Sequence, residues 1–190
     1  MRLAEQSHIL YVTMHHIISD GWSGGVLLQE VTVLYEAFRA GRPSPLDELP
    51  IQYTDFARWQ RHWLETRPET YWKKQLDPLP PEIELPWDYE RPATMTFRGQ
   101  SIVFEIPKEL YAELVALSRR QNVTLYMTLL AAFQALLSRY SGQTQIAVGT
   151  PIANRNRAET EALIGFFVNT LVLRTDLSGD PTFGELVDRV

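Results

Sequence analysis

The spacing of apolar residues changes character several times along the chain. Residues 8–15, rich in Ile, Leu, Tyr, Val and Thr, predict a strand. After it, Leu27, Val31, Leu34 and Phe38 recur at intervals of four, three and four, which predicts a helix over 24–40. Ser23 stands where an N-cap belongs, and Gly41, with Pro43 just beyond, where that helix should stop. A connection with three prolines fills 42–50, and a second helix is predicted over 51–66 with Tyr53, Phe56, Gln60 and Trp63 along one side. Pro68 interrupts it, and a shorter helix is predicted over 69–76.

Residues 77–98 break the pattern. Pro78, Pro80, Pro81, Pro86 and Pro92 make this segment a stiff, extended linker. Beyond it the pattern predicts a strand over 100–106, helices over 108–121 and 124–140, and strands over 145–150 and 167–175. In the second of these helices Leu125, Leu129, Phe133, Leu136 and Tyr140 share one apolar face. Thr182 followed by Glu185 is a capping-box pattern that opens a final short helix. The order is mixed: an α/β chain in the α+β sense, with no internal repeat and no low-complexity tract.

Composition then removes whole classes of function. An apolar fraction of 45% is ordinary for a globular protein, and 190 residues suit one or two domains. A net charge of −5 gives no basic footprint for nucleic acid. No apolar run approaches the ~20 residues that span a membrane, and the start MRLAEQSHIL lacks signal-peptide organisation. The chain has no cysteine, which excludes a thiol nucleophile, a disulfide framework and a cysteine-rich zinc site. That is compatible with a cytoplasmic protein. Any thioester chemistry must use a thiol supplied by a partner.

The chemistry gathers in Met14 to Ser23, MHHIISDGWS, at the junction between the first strand and first helix. If His15 and His16 continue the strand, they point to opposite sides, one toward a cleft and the other inward. A histidine can accept and return a proton near neutral pH. Asp20 could orient an imidazole or pair with an arginine elsewhere. Gly21 permits a tight turn, with φ > 0 if required, and close approach of a substrate to the backbone. The HxxxD spacing alone also fits a solvated ion pair. A metal centre is disfavoured, because adjacent histidines on a strand diverge and the other histidines, His8 and His62, show no ligand spacing. The sequence therefore predicts no metal site.

The full run is more specific than its spacing. MHHIISDGWS resembles the HHxxxDG signature of condensation domains of nonribosomal peptide synthetases. Tyr53 to Gln60, YTDFARWQ, is similar to the family's aromatic helix motif, and Ile164 to Arg174, IGFFVNTLVLR, to its later strand motif. Val148 to Arg157, VGTPIANRNR, is also typical of the family. The motifs occur in the family's order and cover essentially the whole chain.

The resemblance implies a chloramphenicol acetyltransferase-like two-lobe fold with only part of each lobe present. Residues 1–76 would be the C-terminal part of the first lobe, 77–98 the crossover linker, and 99–190 the N-terminal part of the second lobe. Only fourteen residues precede His15, so the chain reads as an internal fragment or a truncated product of a larger enzyme. Exposed strand edges and apolar patches should follow, and with them a tendency to associate.

The activity the resemblance implies is amide bond formation between acyl groups held as phosphopantetheine thioesters. Donor and acceptor peptidyl carrier proteins and an adjacent adenylation domain are the implied partners, with no bound cofactor. His16 would be the catalytic base or charge stabiliser, and Gly21 would offer a backbone N–H to the oxyanion. His15, Asp20 and Arg155 would support the motif, Arg155 as the partner of Asp20 and His15 facing inward. Trp22, Ser23 and Asn169 are candidates for the substrate channel, although Asn169 equally suits a satisfied structural amide. Trp59 and Trp63 read as packing residues. The alternatives are an inactive half-domain that docks carrier proteins, an epimerisation domain, or an acyltransferase using free coenzyme A. IGFFVNTLVLR favours condensation over epimerisation, and the two histidines argue against heterocyclisation.

Overall fold

The computed structural model describes residues 1–67, 69–79, 82–90 and 92–190. The readings placed on Pro68, Pro80 and Pro81 lie outside the described residues. The chain divides into two compact units, Met1–Pro68 with Pro151–Leu171, and Glu69–Thr150 with Val172–Val190. This cuts the chain differently from the division at 1–76, 77–98 and 99–190. Residues 151–171 return to the first unit through long-range packing, which no linker composition announces.

In the first unit, β1 (Arg2–Ala4) and β2 (Ser7–His8) form an exposed antiparallel hairpin. Of the strand predicted over 8–15 only the start forms: His8 lies in β2, Ile9 exchanges two backbone bonds with Met1, and residues 10–15 carry no ladder and are exposed. β-branched and aromatic residues favour a strand only where a neighbour pairs with it, and among the described residues no strand pairs with 10–15.

Helix α1 (Gly21–Arg39) begins three residues before the predicted start. Its N-cap is Asp20, whose extended backbone (φ −131°, ψ −178°) lets the carboxylate accept the Ser23 N–H at 2.8 Å. Ser23 is thus a capped residue, not the cap. At the other end Gly41 takes φ 70°. Its N–H reaches Phe38 O at 3.0 Å, and Arg42 N–H reaches Ala37 O at 2.9 Å. This is a Schellman ending, and the positive φ is why glycine stands there. Helix α1 buries Ser23 and Ala37 and half-buries Leu27 and Leu34, whereas Val31 and Phe38 remain exposed.

Helix α2 (Tyr53–Glu65) starts with the Asp55 carboxylate accepting the Gln52 N–H at 2.9 Å. Its aromatic side supplies Phe56 to a small core completed by Leu163 and Phe167, with Leu49, Ile51 and Tyr53 packed around it. The Phe56 and Phe167 rings lie 4.6 Å apart. Each such buried side chain stabilises the unit by about 1.5–3 kcal/mol. Trp59 and Trp63 are 40% and 37% exposed, stacked along the helix rather than buried.

The second unit holds α3 (Thr70–Leu76), α4 (Lys108–Arg120), α5 (Leu125–Ser141) and α7 (Phe183–Arg189). The short α6 (Ala158–Glu161) belongs to the first unit. Strands β3 (Gln145–Ile152) and β4 (Asn169–Asp176) form a two-stranded sheet close to its predicted extent. The Thr182–Glu185 capping box at the start of α7 is present. Residues 100–106 form no strand, and Ile102, Val103 and Phe104 are exposed. As with 10–15, no described strand pairs with them.

Helix α5 packs by a face other than the predicted one. Its buried residues are Thr128, Leu130, Ala131 and Gln134, while Leu129, Phe133, Leu136 and Tyr140 are exposed. Ala131 meets Leu186 and Val187 of α7. Thr128 bonds the Ser118 hydroxyl of α4 at 2.7 Å. Small side chains let these helices approach closely, so the compact face is the packed one. Among the described residues, no helix is long and apolar enough to cross a membrane.

Candidate functional site

The site is built around the Asp20 carboxylate. Residues 1–18 are exposed, whereas Ser19 and Asp20 are buried. Asp20 Oδ1 accepts from the Ser23 N–H at 2.8 Å, and Oδ2 accepts from the Phe167 N–H at 3.0 Å. Arg155 Nη2 donates to Oδ1 at 3.1 Å, and both side chains of this ion pair are essentially excluded from solvent. The structure thus brings Asp20 and Arg155 together across 135 residues.

Ser23 lies inside the same network and has no exposed surface. Its hydroxyl oxygen accepts from Arg155 Nη2 at 2.9 Å and from the Gly165 N–H at 3.0 Å. Its one proton is shared between Asp20 Oδ1 at 2.7 Å and Gly165 O at 2.9 Å. A side chain closed off in this way cannot line a substrate channel, so that expectation for Ser23 is corrected. Arg155 Nη1 donates to the carbonyls of Thr160 and Leu163, and its guanidinium lies 4.0 Å from the Phe167 ring centre. Its Nε has no partner among the described residues. One arginine therefore ties α1, α6 and the segment 163–167 together.

The electrostatics follow from these bonds. Burial pushes the Asp20 carboxyl up. The Ser23 N–H and hydroxyl, the Phe167 N–H and Arg155 outweigh that effect and hold its pKa at about 2, below the usual 3.8. Asp20 is a permanent anion at neutral pH, fully occupied by its donors. It cannot also orient an imidazole directly.

The two histidines emerge from this frame with opposite tautomers. His16 Nδ1 lies 2.6 Å from Ser19 O. A carbonyl only accepts, so Nδ1 carries the proton and, in the neutral ring, the lone pair is on Nε2. His15 Nδ1 accepts the Ile17 N–H at 3.0 Å, which places its proton on Nε2. Both residues are exposed. The expectation that His15 faces inward is corrected: no described layer covers this segment, and the side chain instead caps its own turn.

Segment 163–167 stands against His16. The Phe166 ring meets the imidazole edge to face, with centroids 5.5 Å apart. The Phe166 carbonyl accepts the Tyr53 hydroxyl at 2.8 Å. Gly165 has no alternative here, since a Cβ would fall 2.2 Å from the Tyr53 ring. Phe166, Tyr53 and Gly165 were not among the predicted site residues. All three lie inside the motifs YTDFARWQ and IGFFVNTLVLR, which marked the family without assigning them a task.

The other candidates are placed as follows. Gly21 is the first residue of α1, so its N–H is one of those a helix start leaves without an intrahelical partner. Its backbone is outside the left-handed region and an added Cβ would meet nothing within 4 Å, so neither a tight turn nor a close approach within the described residues explains it. Trp22 donates its indole N–H to Glu161 O at 2.8 Å and lines a cleft of about 810 Å³ with Gly21, Glu30, Asp47 and Glu48. Asn169 is exposed and accepts the Thr170 N–H at 2.8 Å. It is neither buried in an apolar strand nor brought to the Asp20 network. Among the described residues, no group of three or more histidines and carboxylates could hold a metal ion.

Comparison with known proteins places this geometry. A family model for the condensation domain matches residues 1–190. The chain is 54% identical over 194 residues to a linear gramicidin synthase protein of Brevibacillus parabrevis, covering 100% of this chain and 4% of that protein. It thus spans only a small part of the length of that relative. Among solved structures it is similar to the X-domain from teicoplanin biosynthesis, with a TM-score of 0.86, 30% identity, and coverage of 92% of this chain and 41% of that one. It is also similar to a four-domain nonribosomal peptide synthetase bound to AMP and glycine, with a TM-score of 0.76, 27% identity, and coverage of 92% and 13%. With its HHxxxDG run, its mixed α/β elements and a family match along its whole length, the chain belongs to the condensation domains of nonribosomal peptide synthetases and carries part of their chloramphenicol acetyltransferase-like fold.

Proposed function

We propose that this chain supplies the base for peptide bond formation between two carrier-bound thioesters. Donor and acceptor peptidyl carrier proteins would present the acyl groups on phosphopantetheine arms, with an adenylation domain nearby to load them. The acceptor α-amine attacks the donor thioester carbon, the C–N bond forms, and the C–S bond breaks to release the carrier thiol. His16 Nε2 takes the proton that the amine must lose and returns it to the departing thiolate, which leaves as the thiol. The observation that carries this reading is the bond from His16 Nδ1 to Ser19 O, which leaves Nε2 of an exposed ring without a partner among the described residues.

A positioned base contributes about 10²–10⁴-fold, and holding amine and thioester together supplies much of the rest. The Gly21 N–H, at the positive end of α1, suits a developing oxyanion. Asp20, Arg155, Ser23 and His15 support the loop. Trp22 faces the cleft where substrate contact is expected, and the proline-rich 77–98 acts as the crossover between lobes. Dipeptide formation between loaded carriers, read by mass spectrometry, tests the reading in the condensation domain that contains this chain. His16→Ala should lose most of the rate and still bind both carriers. Equal rates would remove His16 as the base. No peptide from either protein with a range of loaded carriers would favour a docking role, for which the exposed apolar face of α5 is suited.

A further inference from the structure

We infer that Phe166 is a positioning residue for the His16 imidazole, held in place by the Tyr53 hydroxyl; this rests on the base role proposed for His16. Three independent contacts converge on the same short segment. The Phe166 ring stands at 86° to the imidazole with centroids 5.5 Å apart. Tyr53 donates to the Phe166 carbonyl at 2.8 Å, from a helix rooted in the Phe56 core. The neighbouring Gly165 N–H is bonded to buried Ser23, so the segment is fixed on both sides of its Cα trace.

Among the described residues the imidazole makes one hydrogen bond, from Nδ1 to Ser19 O. A single bond to a carbonyl fixes one nitrogen and leaves the ring free to swing about it. The edge-to-face contact restrains that rotation, because an aromatic pair has a preferred relative orientation. Phe166 is itself 39% exposed. Its ring is therefore not needed to fill a core, and a merely structural explanation for an aromatic residue here is weak. Tyr53 acts one step further out: its ring fills the space that Gly165 leaves open, and its hydroxyl sets the height of the Phe166 backbone.

Two measurements test the assignment together. The first is the ¹⁵N spectrum of the His16 ring in the 190-residue chain for wild type, Phe166→Leu, Phe166→Tyr and Tyr53→Phe. The second is kcat and KM for dipeptide formation by the condensation domain carrying the same changes. Phe166→Leu should shift the two His16 nitrogen signals toward tautomer averaging and lower kcat about three- to tenfold with little change in KM. Phe166→Tyr, which keeps the aromatic edge, should restore both. Tyr53→Phe should give a smaller change of the same kind, and it serves as the test if Phe166→Leu unfolds. His16 signals in Phe166→Leu identical to wild type would overturn the inference, as would a Phe166→Tyr protein as impaired as Phe166→Leu. If the signals move as expected but His16→Ala leaves the rate intact, the positioning stands and the proposed base role falls.

Discussion

The two halves of the MHHIISDGWS run are built in opposite ways. Between Ser19 and Ser23, the side chains of Asp20 and Ser23 are buried and bonded, sharing donors from α1, Arg155 and the 163–167 segment. From Met14 to Ile18 the chain is exposed: its backbone makes local bonds, Ile17 N–H to His15 Nδ1 and Ile18 N–H to His15 O, and the His16 ring rests on Ser19 O and the Phe166 edge. The difference separates two tasks. The second half is a frame, and its cost is a buried ion pair that must stay intact. The first half projects two imidazoles from that frame without burying them. Reactivity and rigidity are thereby carried by adjacent residues rather than by the same ones.

Breaking the frame should have the largest effect. Arg155→Ala leaves the Asp20 anion buried with its charged donor gone, and should destabilise the protein by about 3–5 kcal/mol in chemical denaturation. A loss under 1 kcal/mol would show that the pair does not hold the frame. Gly165→Ala comes next. The added Cβ collides with Tyr53, and the overpacking should cost about 1–3 kcal/mol. The companion Gly24→Ala, which meets nothing within 4 Å, should not destabilise.

The pH dependence of the frame is of similar size. The folded pKa of Asp20, about 2, lies below the ordinary 3.8. Its stabilisation is therefore complete above about pH 4 and is lost as pH falls toward 2, a change of about 2 kcal/mol. Asp20→Asn should flatten the stability profile in that window. The exposed Glu69, Asp176 and Glu185 carboxyls, also held below their ordinary values by local bonds, should continue to titrate there. Tyr53→Phe should cost about 0.5–1.5 kcal/mol for the lost hydroxyl bond. His15→Ala, at an exposed position outside the frame, should stay within about 0.5 kcal/mol of wild type.

The same contrast explains which parts of the molecule were legible in sequence. Local chemistry was readable. The Thr182–Glu185 box, Gly41 after α1 and the extents of α4 and α5 depend on neighbours a few residues away. The start of α1 was misplaced because Ser23 is a good cap by type. Asp20 wins the position because its carboxylate, already paired with Arg155, reaches the Ser23 N–H.

Periodicity named the wrong face of α5. Apolar spacing reports where large residues lie, whereas packing against α4 and α7 was decided by small Ala131 and by the Thr128 hydroxyl. The strands predicted at 8–15 and 100–106 have strand-like composition, but beyond Ile9 in the first and throughout the second no described strand pairs with them. In the site, the Asp20–Arg155 pairing was reachable only through the family resemblance, since nothing in local spacing links residues 135 apart. The Phe166 contact with His16 depends on the path of segment 163–167 through space, so no sequence pattern could have announced it.

Residue-resolved amide hydrogen exchange tests the division between frame and projection most directly. The amides of Ser23, Gly165 and Phe167, each bonded into the Asp20 network, should exchange only with global opening of their unit. Those of Tyr11 to Ile18 should exchange orders of magnitude faster. Equal protection in the two halves, or fast exchange at Ser23 and Phe167, would contradict the account.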